Sequence, residues 1–313
     1  MANKVMIVGT GNVGMSFAFA LLHQHTSVEE LVLVDVNADD AEGEAIDLHD
    51  ALAVAPNFLK IKSGTYRDAG DCDLVVITAG VPQKPGETRM DLLKANAKVF
   101  QDIVRKITLA GFDGIFLVIS NPMDIMTYLT WRYSGLPPER VIGSGTVLDT
   151  ARLRYRLSQR LHVNPKNVHA YQVGEHGDSE FSLWSRANIG GEPIANLIDE
   201  NAQSEIEDYV RQEAYTIIQK KGATFYGISS VAALIVNCIL RDERRILPVS
   251  NYDEQSKTYH GWPAIVGQNG IVRRLKLELA TKEQTKFDKS MAVLRGAIEA
   301  VEPQAQERDT EKA

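Results

Sequence analysis

An α/β protein, with a doubly wound parallel sheet in its first half and a mixed α+β second half, is predicted by three features of the sequence. Strand-length apolar runs recur through the first part of the chain, amphipathic helical stretches separate them, and this alternation stops near residue 145. The runs Val5–Val8, Leu31–Val34, Leu74–Thr78, Ile115–Ile119 and Val141–Ile142 are rich in β-branched residues and nearly free of polar ones. Such runs suit strands covered on both faces, as in a parallel sheet flanked by helices. The intervening helices are placed at Met15–His23, Ala41–Ala51 and Ala95–Leu109. Beyond the break, Thr150–Arg160 and Ser204–Lys220 read as long helices. Ile265–Leu279, with short runs around Gly267, Asn269 and Gly270, reads as hairpins. Two domains follow, residues 1–145 and 146–313, and the polar end from Glu302 to Ala313 is expected to fray.

Composition narrows the function. With 313 residues, 44% of them apolar, the chain has enough apolar surface to offset ordering entropy, so general disorder is excluded. Lys+Arg number 34 against 41 Asp+Glu, a net charge of −7 that argues against nucleic-acid or anionic-membrane partners. Cys72 and Cys238 lack paired-thiol spacing, so neither a disulfide framework nor a structural metal site is expected. The apolar run after Lys4 is too short for a secretory segment, and no run approaches the length of a membrane span. A cytoplasmic location is expected.

Gly9-Thr10-Gly11-Asn12-Val13-Gly14 is a GxGxxG that follows a predicted strand and opens a predicted helix. Its first glycine permits a tight turn, its second lets a pyrophosphate approach the backbone, and its third lets the helix pack on the strand. Free N–H groups at the helix start face the anion. Alone, this pattern is also compatible with a glycine-rich turn. Asp35 ends the second strand, 21 residues beyond Gly14, where a carboxylate can accept bonds from ribose hydroxyls and repel a 2′-phosphate. A Rossmann-type site preferring NAD to NADP is predicted.

Four segments concentrate polar chemistry. Gln83-Lys84-Pro85-Gly86-Glu87-Thr88-Arg89 reads as a loop able to close over a ligand, and Asn121-Pro122-Met123-Asp124 follows a buried strand. Asp149-Thr150-Ala151-Arg152 opens a helix, and Gly174-Glu175-His176-Gly177-Asp178-Ser179 is a glycine-flanked histidine loop. Hydride transfer to a carbonyl needs a proton donor poised near neutral pH, a cation to polarise the carbonyl, and a two-pronged cation for a substrate carboxylate. His176, Arg89 and Arg152 are of the right types, though spacing alone does not prove that they converge.

In order and interval, Gly9–Gly14, Gln83–Arg89, Asn121–Asp124, Asp149–Arg152 and Gly174–Ser179 resemble the lactate/malate dehydrogenase family, over residues 5 to about 300. The resemblance implies an NAD-dependent 2-hydroxy acid dehydrogenase of the bacterial L-lactate type, fermentative and tetrameric. It implies that His176 exchanges the proton, Asp149 orients it, Arg89 polarises the carbonyl and Arg152 grips the carboxylate. It places Asn121 near the nicotinamide and the reacting oxygen, Thr224 and Ile228 along the pocket, and Val13, Tyr66 and Gly80 against the cofactor. Gln83 stands where malate-using relatives carry an arginine, which implies pyruvate and lactate as substrates. Arg154 and His169 match positions that bind fructose 1,6-bisphosphate in allosteric relatives.

The chain also departs from the family. Asp40 replaces a usually basic residue near the cofactor adenosine, and Asn251–Gly261, with Gln255, Lys257 and His260, matches poorly and is expected to form a variable surface connection. Two other readings stay open. A dehydrogenase for malate or a bulkier 2-hydroxy acid is one, against whose malate form Gln83 speaks. A nucleotide-binding protein without chemistry is the other, against which the presence of His176, Asp149 and Arg89 speaks.

Overall fold

The computed structural model of the chain describes residues 3–81 and 89–302, Arg89 by its backbone alone. The first half runs β1 (Lys4–Val8), α1 (Asn12–His23), β2 (Glu30–Val34), α2 (Ala38–Leu52), β3 (Lys60–Ser63), β4 (Leu74–Ile77), α3 (Arg89–Leu109), β5 (Ile115–Val118), α4 (Met123–Ser134) and β6 (Val141–Gly143). These six strands pair in parallel in the order β3-β2-β1-β4-β5-β6. Their side chains alternate between two apolar cores. Val5, Ile7, Leu31, Leu33, Leu74 and Val76 join one, while Met6, Val8, Val32, Val34, Val75 and Ile77 join the other. Apolar runs with no polar face are what this double burial requires. The order reverses between β1 and β4, so a crevice opens beyond their carboxyl ends.

The second half runs α5 (Val147–Leu161), β7 (Val168–His169), β8 (Gln172–Val173), β9 (Phe181–Ser182), β10 (Asn188–Ile189), β11 (Glu192–Pro193), α6 (Glu200–Lys221) and α7 (Tyr226–Leu240). It ends with β12 (Arg245–Leu247), β13 (Ser250–Asp253), β14 (Thr258–Gly261), β15 (Ala264–Gly267), β16 (Gly270–Arg274) and α8 (Thr281–Glu299). The expected hairpin is β15–β16, with β12 on its outer edge. Helix α7 lies against α1, where Ser229 Oγ donates to the Val13 carbonyl at 3.0 Å.

Two expectations need correction. Asn251–Gly261 is not a surface connection. It forms the β13–β14 hairpin, which joins β6 and extends the parallel sheet to eight strands. Tyr259 is wholly buried within 6.0 Å of Trp131 and 5.5 Å of Tyr252. Of the polar residues that suggested a surface, Gln255 and Lys257 are exposed at the turn, but His260 is buried between Thr258 and Arg274. Nor does the polar end begin free at Glu302, whose Oε1 accepts a hydrogen bond from the Tyr128 hydroxyl at 3.0 Å. Residues 303–313 lie outside the described residues. Among the described residues no helix is long and apolar enough to cross a membrane.

Candidate active site

The glycine loop sits at the topological crevice. Gly9 has φ +104°, and a side chain there would stand 2.6 Å from the Ala79 backbone nitrogen. A side chain on Gly14 would press into the Gly9 carbonyl and stand 2.9 Å from Thr78 Oγ1, so α1 can approach β1 only without one. Gly11 differs, because a Cβ there would meet no protein atom within 4 Å. It faces open space at the start of α1, where unpaired N–H groups favour an anion.

Asp35 ends β2 at the lip of this crevice. Its Oδ2 accepts from the Thr10 N–H at 2.8 Å and its Oδ1 from the Asn37 N–H at 3.1 Å. Tyr66, half-buried after β3, carries Lys106 Nζ 5.2 Å from its ring centre. Burial raises its phenol pKa, Lys106 opposes the rise, and the charges of Asp102 and Asp35 add to it. Gly80 follows β4 and Asn121 follows β5, and the adjoining Ser120 Oγ donates to the Ala79 carbonyl at 2.5 Å. Val13 and Ile228 are half-buried and pack on the core beside the α1–α7 contact, and half-buried Thr224 lies just before α7. An open glycine cradle with a carboxylate at the end of β2 fits a dinucleotide.

The chemistry-bearing residues gather where α5 meets the loop between β8 and β9. Asp149 and Arg152 lie three apart on α5 and share a face. Arg152 Nη1 donates to Asp149 Oδ1 at 2.9 Å, and His176 Nδ1 faces Asp149 Oδ2 at 2.7 Å. Asp149 is 2% exposed, so both its oxygens are committed to cations in a dry setting. Desolvation, the largest influence on His176, disfavours its charged form. The charge and hydrogen bond of Asp149, aided by Glu180 and Asp124, outweigh it and raise the imidazole from 6.5 to about 9. Burial likewise opposes ionisation of Asp149, yet His176 and Arg152 hold its carboxyl below the usual range. With Nδ1 tied to Asp149, Nε2 is left to carry the exchangeable proton. No partner among the described residues occupies the remaining donors of Arg152.

Several supports were not singled out by sequence reasoning. The His176 backbone N–H donates to Asp124 Oδ2 at 2.7 Å, and Ser250 Oγ donates to Asp124 Oδ1 at 2.5 Å. Burial pushes Asp124 up to about 7 against those hydrogen bonds. The Glu175 N–H donates to Ser290 Oγ of α8 at 2.7 Å, and Ser179 Oγ bonds both Ser290 and Glu175. Glu180, 4% exposed, accepts from Gln172 Nε2 at 3.1 Å, and burial first, then Asp149, holds its carboxyl well above the ordinary range. Asp149, His176 and Glu180 offer ligand atoms within 4.8 Å of one another, but the ion pairs already account for Asp149. Asp124 was legible as part of the motif after β5; Ser250 and Ser290 carry no local signal.

Gln83 and the Arg89 side chain lie outside the described residues, and the Arg89 backbone begins α3. Arg154 packs on the chain that follows His169, away from the Asp149–His176 pair in its own contacts. Arg154 Nε donates to the Ala170 carbonyl at 3.0 Å, its guanidinium lies 5.2 Å from the Tyr171 ring centre, and His169 is exposed on β7 beside them.

A nucleotide crevice, together with a histidine and an arginine held by one shared carboxylate, fits a dehydrogenase acting on a small carbonyl acid. Residues 3–143 match the lactate/malate dehydrogenase NAD-binding domain, and residues 146–305 match the lactate/malate dehydrogenase α/β C-terminal domain. The chain belongs to this family of NAD-dependent oxidoreductases. It is 50% identical to L-lactate dehydrogenase 2 of Bacillus cereus strain ZK / E33L, over 96% of this chain and 98% of that protein. A lactate dehydrogenase from a Medee basin deep-sea metagenome library superposes with TM-score 0.94 at 48% identity, over 96% of this chain and 100% of that one. The minor L-lactate dehydrogenase of Enterococcus mundtii, in its ligands-bound form, superposes at 0.93 with 45% identity, over 96% and 98% of the two chains.

Proposed function

We propose that the chain interconverts pyruvate and L-lactate as an NAD-dependent L-lactate dehydrogenase. The observation that carries this reading is Asp149, shared between His176 and Arg152 in one buried cluster. Bound NADH supplies the hydride. His176 gives its Nε2 proton to the carbonyl oxygen in that direction and takes it back in the other, while Asp149 stabilises the imidazolium. Arg152 holds the substrate carboxylate with its unengaged donors, a pairing for which a planar guanidinium is suited and an ammonium is not. Arg89 is assigned to carbonyl polarisation, Asn121 and Thr224 to the substrate, and Gly9, Gly11, Val13, Gly14, Asp35, Tyr66, Gly80 and Ile228 to the cofactor.

Pyruvate is favoured over oxaloacetate because Gln83 is uncharged. A second carboxylate left unpaired in a closed site costs about 3–5 kcal/mol. A homotetramer in the cytoplasm, activated by fructose 1,6-bisphosphate at Arg154 and His169, completes the reading. An arginine and a histidine from each of two subunits, repeated across a two-fold axis, would pair with the phosphates. The deciding experiment measures NADH oxidation side by side with pyruvate, oxaloacetate and 2-oxoisocaproate, with and without the bisphosphate. Pyruvate should be the preferred substrate. Faster turnover of oxaloacetate or 2-oxoisocaproate would replace the substrate assignment, and a flat response to the bisphosphate would remove the effector.

A further inference from the structure

A second cavity, of about 950 Å³, lies between the β13–β14 hairpin, the chain after β16, and α8. Trp262, Phe287, Leu277 and Met291 form an apolar, aromatic part of its walls beside a polar part of similar extent, and the Trp262 and Phe287 ring centres are 5.5 Å apart. One half-buried cation faces this interior. Arg274, its side chain 22% exposed, lies over Trp262 at 5.0 Å, and its nearest carboxylate, Asp253, is 3.8 Å away.

Asp253 is the ion-pair partner of Arg274, and two neutral neighbours hold the guanidinium in place. Nη1 donates to Asn251 Oδ1 at 2.7 Å and Nη2 donates to His260 Nε2 at 2.5 Å. A guanidinium only donates, so that contact makes His260 Nε2 an acceptor and places the ring proton on Nδ1, against Thr258 Oγ1 at 3.1 Å. His260 is therefore neutral, and burial, then Arg274 itself, keeps it so. Burial also draws the Arg274 pKa down to about 10, with only Asp253 working against it. The rim carries both signs, Glu254, Glu278 and Asp288 against Lys276 and Arg295, all solvent-exposed. Asp253, at 3.8 Å, lies beyond hydrogen-bond reach, so the half-buried guanidinium keeps donors for a second anion. An aromatic and apolar wall beside one oriented guanidinium has the build of a small-molecule site.

We infer that this cavity binds a small amphipathic anion, an aryl or alkyl carboxylate or sulfonate, with its charged head on Arg274 and its apolar body against Trp262 and Phe287. The test uses anilinonaphthalene sulfonate as probe on the intact enzyme. Saturating NADH and the pyruvate isostere oxamate keep the probe out of the active site, and binding is followed by calorimetry. One probe per chain is expected. Arg274→Met should weaken binding at least tenfold while pyruvate turnover stays within twofold of wild type, and the cavity-filling Leu277→Trp, which keeps the guanidinium, should also abolish it. If Arg274→Met fails to fold, Leu277→Trp alone decides. No binding under these conditions, or binding unchanged by Leu277→Trp, overturns the inference. So does full binding by a folded Arg274→Met.

Discussion

Asp149 serves two cations at once, and the consequences of that sharing are measurable. Reduction of pyruvate needs the imidazolium, so its kcat/KM should fall as pH rises through about 9, the value to which His176 is raised. Oxidation of lactate needs the neutral ring, so it should rise through the same range. Asp149→Asn removes the charge that lifts the imidazole, so the falling limb should move to lower pH. Turnover of pyruvate at neutral pH should drop by about a hundredfold or more. A pH–rate profile of the variant checks both, and an unmoved limb would detach Asp149 from the proton donor. Gln83→Arg supplies the missing partner for a second carboxylate, and the oxaloacetate-to-pyruvate ratio of kcat/KM should rise by about a hundredfold. Of the site's residues, those in short motifs were readable because their chemistry is local: a histidine between glycines, or an aspartate and an arginine three apart. Ser290 was not, since a serine in the middle of an amphipathic helix has no sequence mark of the loop it holds.

Gly11, which caps α1, and Gly14, inside it, should part company on substitution. Gly14→Ala drives a methyl group into the Gly9 carbonyl and should cost about 1–3 kcal/mol of stability. Gly11→Ala meets no protein atom, so the melting temperature should hold while NADH affinity falls by about tenfold. Thermal unfolding beside NADH fluorescence titration separates the two. The strands of the first half were legible because double burial leaves polar residues only at their ends, and β3, with Lys60 and Lys62 exposed, escaped for want of that pattern. The β13–β14 hairpin escaped for the opposite reason. Thr258 and His260 read as surface residues, yet their polar atoms are satisfied within the fold by Ser256 and Arg274.

Across the whole molecule, the second half completes the first. It lends β13 and β14 to the sheet, rests α7 on the nucleotide helix, and brings His176 to Asp124 at the head of α4. The break in pattern near residue 145 was visible in the sequence, but this interlocking was not, because contacts such as Ser229 with Val13 join residues over two hundred positions apart. Regulation by fructose 1,6-bisphosphate at Arg154 and His169 is the proposed part of this picture. Arg154→Gln should flatten any response to fructose 1,6-bisphosphate at subsaturating pyruvate while leaving turnover at saturating pyruvate near wild type.

The most direct measurement is single-turnover oxidation of bound NADH by pyruvate in His176→Asn, with NADH affinity determined on the same preparation. The rate should fall by about a hundredfold to ten-thousandfold while NADH binding stays within twofold, as expected when a proton donor is lost from an intact cofactor site. A rate close to wild type would contradict the assignment of His176 as the group that protonates the carbonyl.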